Sequence, residues 1–253
     1  MTPAQRRWMF LIGVAGLVSF VLWGLLGLPG FGRYPGPYGY IINRIALRQT
    51  YATGTVSAIN FDYRGFDTLG EEFILFAAAA GVSTVLRRLR GERERSAVDE
   101  AADRDVPPTS GAVRMMALIL TGPIVVIGWW LASHAQTNPS GGFQGGVILA
   151  TAFILIYLAG EFLVFKRFSP ADLTDAVEAV GAGGFAAIGI AAVGIGLAYL
   201  TNFLPKGQFA GAVSSGGTIP LISFFVGLEV AAAFLLIVAE LLEQTLLIRR
   251  GNA

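Results

Sequence analysis

The chain has 253 residues, of which 54% are hydrophobic and only 14% charged, and its formal net charge is +1. It holds no cysteine and a single histidine, which excludes disulfides, thiolate metal sites, iron–sulfur clusters held by this chain and cysteine nucleophiles, and argues against a zinc site built from protein ligands alone. The apolar residues fall in blocks of about 20, the length that crosses ~30 Å of hydrocarbon, so the composition is that of a multi-spanning membrane protein.

In chain order, the first expected span is Trp8–Leu28. "QRRWMFLIG" ahead of it has a twin-arginine look, but the apolar run of about 21 residues exceeds a signal h-region and no A-x-A-like site follows, so it reads as an uncleaved span. Residues 29–67 are turn-rich at "LPGFGRYPGPYGY" and mix β-formers with charges further on, and their secondary structure is left unassigned. Leu69–Leu86 is a shorter span that opens with Glu71 and Glu72. "RRLRGERERSAVDEAADRDVPPT" then reads as a charged cytoplasmic linker, placed at 87–112. It separates a two-helix module, 1–86, from a four-helix module, 113–253. The four expected spans of the latter are Met115–Ser133, Gly146–Phe165, Ala179–Leu200 and Ile219–Ala239. Pro123 lies inside the first of them, where neighbouring helices can tolerate it.

The distribution of basic residues tests this parse, because cytoplasmic loops carry an excess of Lys and Arg. One set of loops holds Arg6, Arg7, Arg87, Arg88, Arg90, Arg93, Arg95, Arg104, Arg114, Lys166, Arg167, Arg249 and Arg250, and the other holds Arg33, Arg44, Arg48, Arg64 and Lys206. The expectation is therefore an all-α polytopic protein of the cell membrane, with about six transmembrane helices and both termini cytoplasmic.

Soluble-enzyme motifs are not met. "GGFQGG" lacks a following Gly-Lys-Ser/Thr, and "GAGGFA", Gly181 to Ala186, matches a dinucleotide fingerprint only in letters, because it lies inside an apolar span with no preceding strand. No catalytic residue, metal, cofactor or nucleic-acid partner is expected. Intramembrane carboxylates carry more weight, because a charge at the bilayer centre costs about 3 kcal/mol or more and commonly marks an ion or proton route. Glu229 lies roughly 15 Å from the start of its span, near the midplane. Glu161 sits toward the cytoplasmic end of its span, one turn after Tyr157, while Glu240 and Glu243 fall at a cytoplasmic exit. Each acid also has a structural reading: Glu229 as an assembly contact, Glu161 as an interfacial group near Lys166 and Arg167.

Thr68-Leu69-Gly70-Glu71 has capping-box spacing, which would make it the capped end of a helix with Asp62 or Asp67 paired to Arg64. The alternative is that Asp67 and Glu71, one turn apart, form the acidic mouth of a cation path. In "HAQTNPSGGFQGGVILATA", Gly141/Gly145 and Gly142/Gly146 are overlapping small-xxx-small pairs that let another backbone approach, Pro139 stiffens the turn and Phe143 offers an interfacial anchor. His134 is read as a surface residue of the outer side.

"TNPSGGFQGGVILATA" resembles the Pro-Gly-Gly-Gly-Phe-Gln-Gly-Gly signature of the MnhB/MrpB-type subunit of Mrp-type multisubunit cation/proton antiporters, and the module from about Val113 onward is similar to that subunit throughout. "VSAINFDYRGFDTLGEEFILFAAAAGV" resembles the C-terminal tail of the large A-type subunit of the same antiporters, which in related membrane-bound hydrogenases is a separate small protein. The resemblance implies a fusion of the two, acting beside other subunits in exchanging Na⁺ or a related cation for H⁺, as part of a transporter rather than an enzyme. It matches Pro139 and Phe143 to the loop signature and Glu71 to an acid linked to ion translocation. Ser140 departs from the signature, and Glu72 adds a second acid beside Glu71. The alternatives are the ion-translocating module of a hydrogenase-type or other redox-driven complex, and a scaffold in which every acid is structural.

Overall fold

The computed structural model describes residues 3–28, 30, 32, 36–86, 109–137 and 139–245, with the side chains of 3, 6, 161–163 and 243–245 outside that description. All regular structure among the described residues is helical: α1 (Pro3–Leu26), α2 (Pro37–Thr50), α3 (Thr55–Ala58), a π-helical turn (Ile59–Tyr63), α4 (Gly65–Leu86), α5 (Gly111–Ser133), α6 (Gly142–Phe168), α7 (Ala171–Gly194) and α8 (Ile219–Thr245). Six of them are long and apolar enough to cross a membrane, over Arg7–Leu26, Gly65–Leu86, Gly111–Ser133, Gly142–Gly160, Ala171–Gly194 and Ile219–Leu242. The expected linker lies outside the described residues as far as residue 108.

The chain divides between Ile41 and Ile42 into two compact units. The first carries α1, whose residues after Arg7 are uncharged throughout. In the second, one buried core joins Ile42, Ala46, Ala58, Phe61 and Leu69 to Phe185, Ile188, Ile222, Val226 and Val230. The segment 42–69 therefore folds as part of the same body as α5 to α8.

Several helix ends differ from the sequence reading, and the reasons are local. α5 begins at Gly111, earlier than Met115, because the Ser110 hydroxyl accepts from the Val113 amide at 3.3 Å and nucleates a turn that needs no apolar residue. α7 begins at Ala171 rather than Ala179, since Pro170 enters the helix in extended backbone ahead of the polar first turns. It stops at Gly194, short of Leu200, where Gly196 takes φ +83° and the amides of Gly196 and Leu197 bond back to Val193 and Ala192 at 2.9 and 3.0 Å. That is a Schellman end, which requires the left-handed residue that glycine supplies. The anticipated capping box does not form: α4 already starts at Gly65, and the amides of Asp67 and Thr68 both bond to the Arg64 carbonyl. The β-forming stretch before it is helical, and its π turn closes with the Arg64 amide on the Ile59 carbonyl at 2.7 Å.

α8 is the centre of the bundle, packed against α4, α5, α6 and α7, and α6 joins it to α5 because the first turn of α6 turns glycines toward both neighbours. A Cβ on Gly145 would stand 2.6 Å from the Ala132 nitrogen of α5. On the other side, a Cβ on Gly142 or Gly146 would stand 2.6 Å from the Val226 Cβ or 2.7 Å from the Val230 Cβ of α8. All three lie under any real contact distance, so at this level α5 and α8 approach α6 where it lacks a side chain. Gly141 precedes the helix as its N-cap, Pro139 is exposed, and Phe143 meets Phe234 edge to face at 6.5 Å between centroids.

Gly145→Ala should lower stability by about 1–3 kcal/mol through overpacking. Gly122→Ala, where a Cβ would meet nothing within 4 Å, should leave it unchanged or raise it. Thermal unfolding of the purified protein in detergent reads both, and equal melting temperatures for the two variants would remove the close-approach account.

Candidate functional site

Helices α4, α5, α6, α7 and α8 meet the segment 50–64 and the loops 134–141 and 195–218 at one end of the second unit, here termed the loop face. Polar side chains knit it together. The Gln136 carbonyl accepts from the Thr53 amide at 2.8 Å, its Nε2 donates to the Val213 carbonyl at 2.7 Å, and the Ser57 hydroxyl donates to the Ser140 carbonyl at 2.7 Å. Asn202 donates to the Gly216 carbonyl at 3.0 Å, accepts from the Thr218 amide at 2.8 Å and donates to Asp62 at 3.4 Å.

Below this face the interior holds three glutamates. Glu72 on α4 is 2% exposed, Glu229 on α8 is 0% exposed and Glu178 on α7 is 6% exposed. Each lies on the inward stripe of its helix: Gly65, Thr68, Leu69, Glu72 and Ala79 on α4, and Thr174, Glu178, Gly181, Phe185, Ile188 and Ala192 on α7. Helix rise puts Glu72, Glu229 and Glu178 about 10, 15 and 24 Å below the loop-face ends of their helices, a row that descends through the membrane. Glu229 is the middle member, close enough to both Glu72 and Glu178 for their charges to act on one another. The α7–α8 contact there is again made through a glycine, since a Cβ on Gly181 would stand 2.5 Å from the Glu229 nitrogen.

Neither carboxyl oxygen of Glu229 makes a hydrogen bond of ordinary geometry among the described residues, and one oxygen each of Glu72 and Glu178 is likewise buried without one. Such groups are costly to bury and are not there for stability. Within the described residues no group of three or more His, Cys, Asp or Glu side chains is placed to hold a metal ion.

The sequence candidates are distributed as follows. Glu229 faces the interior. Glu71 is exposed on the outer side of α4, and Asp67 is exposed one turn earlier, where its carboxylate accepts from the Arg64 Nε at 2.6 Å. Glu161 belongs to α6, but its side chain lies outside the described residues. His134 ends α5, stacked on Trp130 with ring centroids 5.6 Å apart and with its Nδ1 3.0 Å from the Trp130 carbonyl oxygen. Glu178 escapes the sequence reading because a span that starts at Ala179 begins one residue after it. A signal for it exists in the i, i+4, i+7 spacing of Thr174, Glu178 and Gly181.

Apolar spans gathered round buried carboxyl groups define a multi-pass membrane protein with an ionisable interior. Residues 112–236 match the family described as the domain related to the MnhB subunit of Na⁺/H⁺ antiporters. An uncharacterized protein of Methanocaldococcus jannaschii is 29% identical over 250 residues, covering 88% of this chain and 91% of its own. A probable K⁺/H⁺ antiporter protein of Rhizobium meliloti, of the combined A/B type, is 33% identical over 137 residues, 48% of this chain and 14% of that much longer protein. Among solved structures, a chain of the membrane-bound sulfane sulfur reductase, an archaeal respiratory membrane complex, superposes with a TM-score of 0.68 at 28% identity, covering 94% of this chain and 98% of that one. A chain of the Mrp complex from Dietzia sp. DQ12-45-1b shares the fold, with a TM-score of 0.68 at 22% identity over 95% of this chain and 26% of that chain.

With neither oxygen in a hydrogen bond of ordinary geometry, replacing Glu229 by the similarly shaped Glu229→Met should raise stability by about 1–3 kcal/mol, the cost of an unsatisfied buried polar group. Thermal unfolding in detergent measures this, and a lowered melting temperature would show that the carboxyl is bonded.

Proposed function

We propose that the chain is an integral component of a multisubunit secondary antiporter that exchanges a monovalent cation, Na⁺ in the leading reading, for H⁺, and that the row Glu72, Glu229 and Glu178 is its contribution to the ion route. The observation that carries this is the pair of fully buried carboxyl groups on different spans, Glu72 and Glu229, facing each other without a cationic partner among the described residues. A carboxylate in hydrocarbon is tolerated where it takes up and releases an ion or proton. The family of residues 112–236 and the antiporter relative support the same reading.

In this reading Glu71 and Asp67, on the exposed side of α4, belong to a part of the route completed by other subunits, and Glu161 stands toward its cytoplasmic end. Pro139, Gly141, Gly142, Phe143, Gly145 and Gly146 form the joint that assembly depends on. Both termini are cytoplasmic by the thirteen-to-five split of basic residues, and the chain joins the two spans α1 and α4 to the four spans α5 to α8, the expected linker ending before α5 begins at Gly111.

A second reading is favoured by one comparison. The likeness to a chain of a respiratory complex spans nearly the whole of both proteins. The same module would then move ions in a complex driven by electron transfer, and this chain, without cysteine, would serve either. Mass spectrometry of co-purifying subunits separates the two, because nickel or iron–sulfur proteins accompany only the redox-driven form.

In everted vesicles containing the assembled complex, Glu72→Gln, Glu229→Gln and Glu178→Gln should each lower Na⁺-dependent pH change by a factor of about ten or more, the effect of ~1.4 kcal/mol on a barrier. Full exchange by all three at normal complex yield would remove the row from the mechanism. Full exchange by Glu71→Gln alone would confine the route to the inner acids.

A further inference from the structure

A second charged feature lies away from the carboxylate row, on α2. This helix has 14 residues, about 21 Å at helical rise, and is too short to cross ~30 Å of hydrocarbon. Ile42, Ala46 and Thr50 bury one stripe of it against the core. Its end is fixed to the loop face, where the Tyr51 carbonyl accepts from the Gly211 amide at 3.1 Å and the Thr53 amide donates to Gln136 at 2.8 Å. That face is where α5 ends and where α6 and α8 begin, so the C-terminal end of α2 lies at the level where hydrocarbon gives way to lipid headgroups.

On its open side Arg44, Ile45, Arg48 and Gln49 line a cavity of about 400 Å³. The half-buried Lys206 reaches the same helix, donating to the Gln49 carbonyl at 2.8 Å. α2 contains no acidic residue, and none of these three cations makes an ion pair among the described residues. Arg64, by contrast, is paired with Asp67. Two arginines at i and i+4 repel and weaken a helix, so their juxtaposition around a cavity gives the fold nothing unless an anion sits between them. Arginine forks match the oxygens of a phosphate in geometry as well as charge. Leu47 and Tyr51 beside them are exposed, as a surface that meets acyl chains would be.

We infer that Arg44, Arg48 and Lys206 form a headgroup site for an anionic phospholipid, with the phosphodiester held between the two guanidinium groups and the acyl chains lying along the bundle. The site does not depend on the transport reading, because it uses none of the carboxylates. Nor does it depend on which face of the membrane is cytoplasmic.

The test is native mass spectrometry of the purified full-length chain, within whatever complex it co-purifies, after addition of phosphatidylglycerol or phosphatidylcholine. At ~1 kcal/mol for each basic residue near an anionic lipid surface, the double variant Arg44→Gln/Arg48→Gln should bind phosphatidylglycerol roughly thirtyfold more weakly. Arg44→Lys/Arg48→Lys should keep much of that binding, which guards against a folding defect being mistaken for a lost site. Arg64→Gln should change nothing, and phosphatidylcholine should bind alike to all. Equal retention of phosphatidylglycerol by wild type and double variant would overturn the site, as would equal loss in Arg64→Gln. Displacement of the lipid by inorganic phosphate would assign the pocket to a free anion. Loss of a partner protein with lipid binding unaltered would make it a protein contact.

Discussion

Everything in the second unit rests on helices touching where one of them has no side chain. Inside a bilayer, apolar burial does not drive helices together, because lipid tails are as apolar as leucine, so association depends on close van der Waals contact. α6 meets this need on two sides within one turn, with Gly145 against Ala132 of α5 and Gly142 and Gly146 against Val226 and Val230 of α8. Gly181 repeats the device between α7 and α8, at the backbone of Glu229 itself. The glycines thus decide more than packing. They set how near Glu178 and Glu229 stand to each other, and therefore whether the acids form a row or three isolated groups.

The polar groups of the protein fall into two populations. Those at the loop face are mostly satisfied: Asn202 makes three hydrogen bonds, Ser57 and Ser223 each donate to a carbonyl at 2.7 Å, and the exposed Asp67 has Arg64. The exceptions there are the buried Gln136 Oε1, Ser215 Oγ and Thr218 Oγ1. In the interior the pattern reverses, and each of the three buried glutamates has at least one carboxyl oxygen without a hydrogen bond of ordinary geometry. A purely structural carboxyl would be expected to resemble the first population, because an unbonded one subtracts from stability. The second fits groups kept available for an exchangeable ion or proton.

Six spans can be read from apolar block length, since that is a property of composition alone. Helix ends cannot, because caps are set by single residues such as Ser110, Pro170 and Gly196 that carry no apolar signal. The segment 29–67 resists reading for another reason: α2 is half polar, and the π turn has a period that no standard template matches. The glycine loop is legible as a packing motif, though the two helices that it separates are not. The acids are partly legible. Glu229 stands out inside an apolar run, whereas the choice between Glu71 and Glu72 depends on helical phase, and only Glu72 continues the stripe from Gly65 and Leu69 to Ala79.

The row does not open directly onto the loop face. Thr218 and Glu229 share one side of α8, about 16 Å apart along the helix, and Ile222 and Val226 lie between them at 0% and 1% exposure. Phe61 from the π turn and Phe185 from α7 close the same layer, edge to face, with ring centroids 6.4 Å apart. A hydrated ion does not cross such a layer without a change of packing, because an apolar constriction excludes water. For the exchange proposed above such a closure matters: a continuous wet path would let the cation and the proton run down their gradients independently. In the proposed reading, a carboxylate row behind an apolar seal would couple them instead, because an ion would reach an acid only when the seal yields.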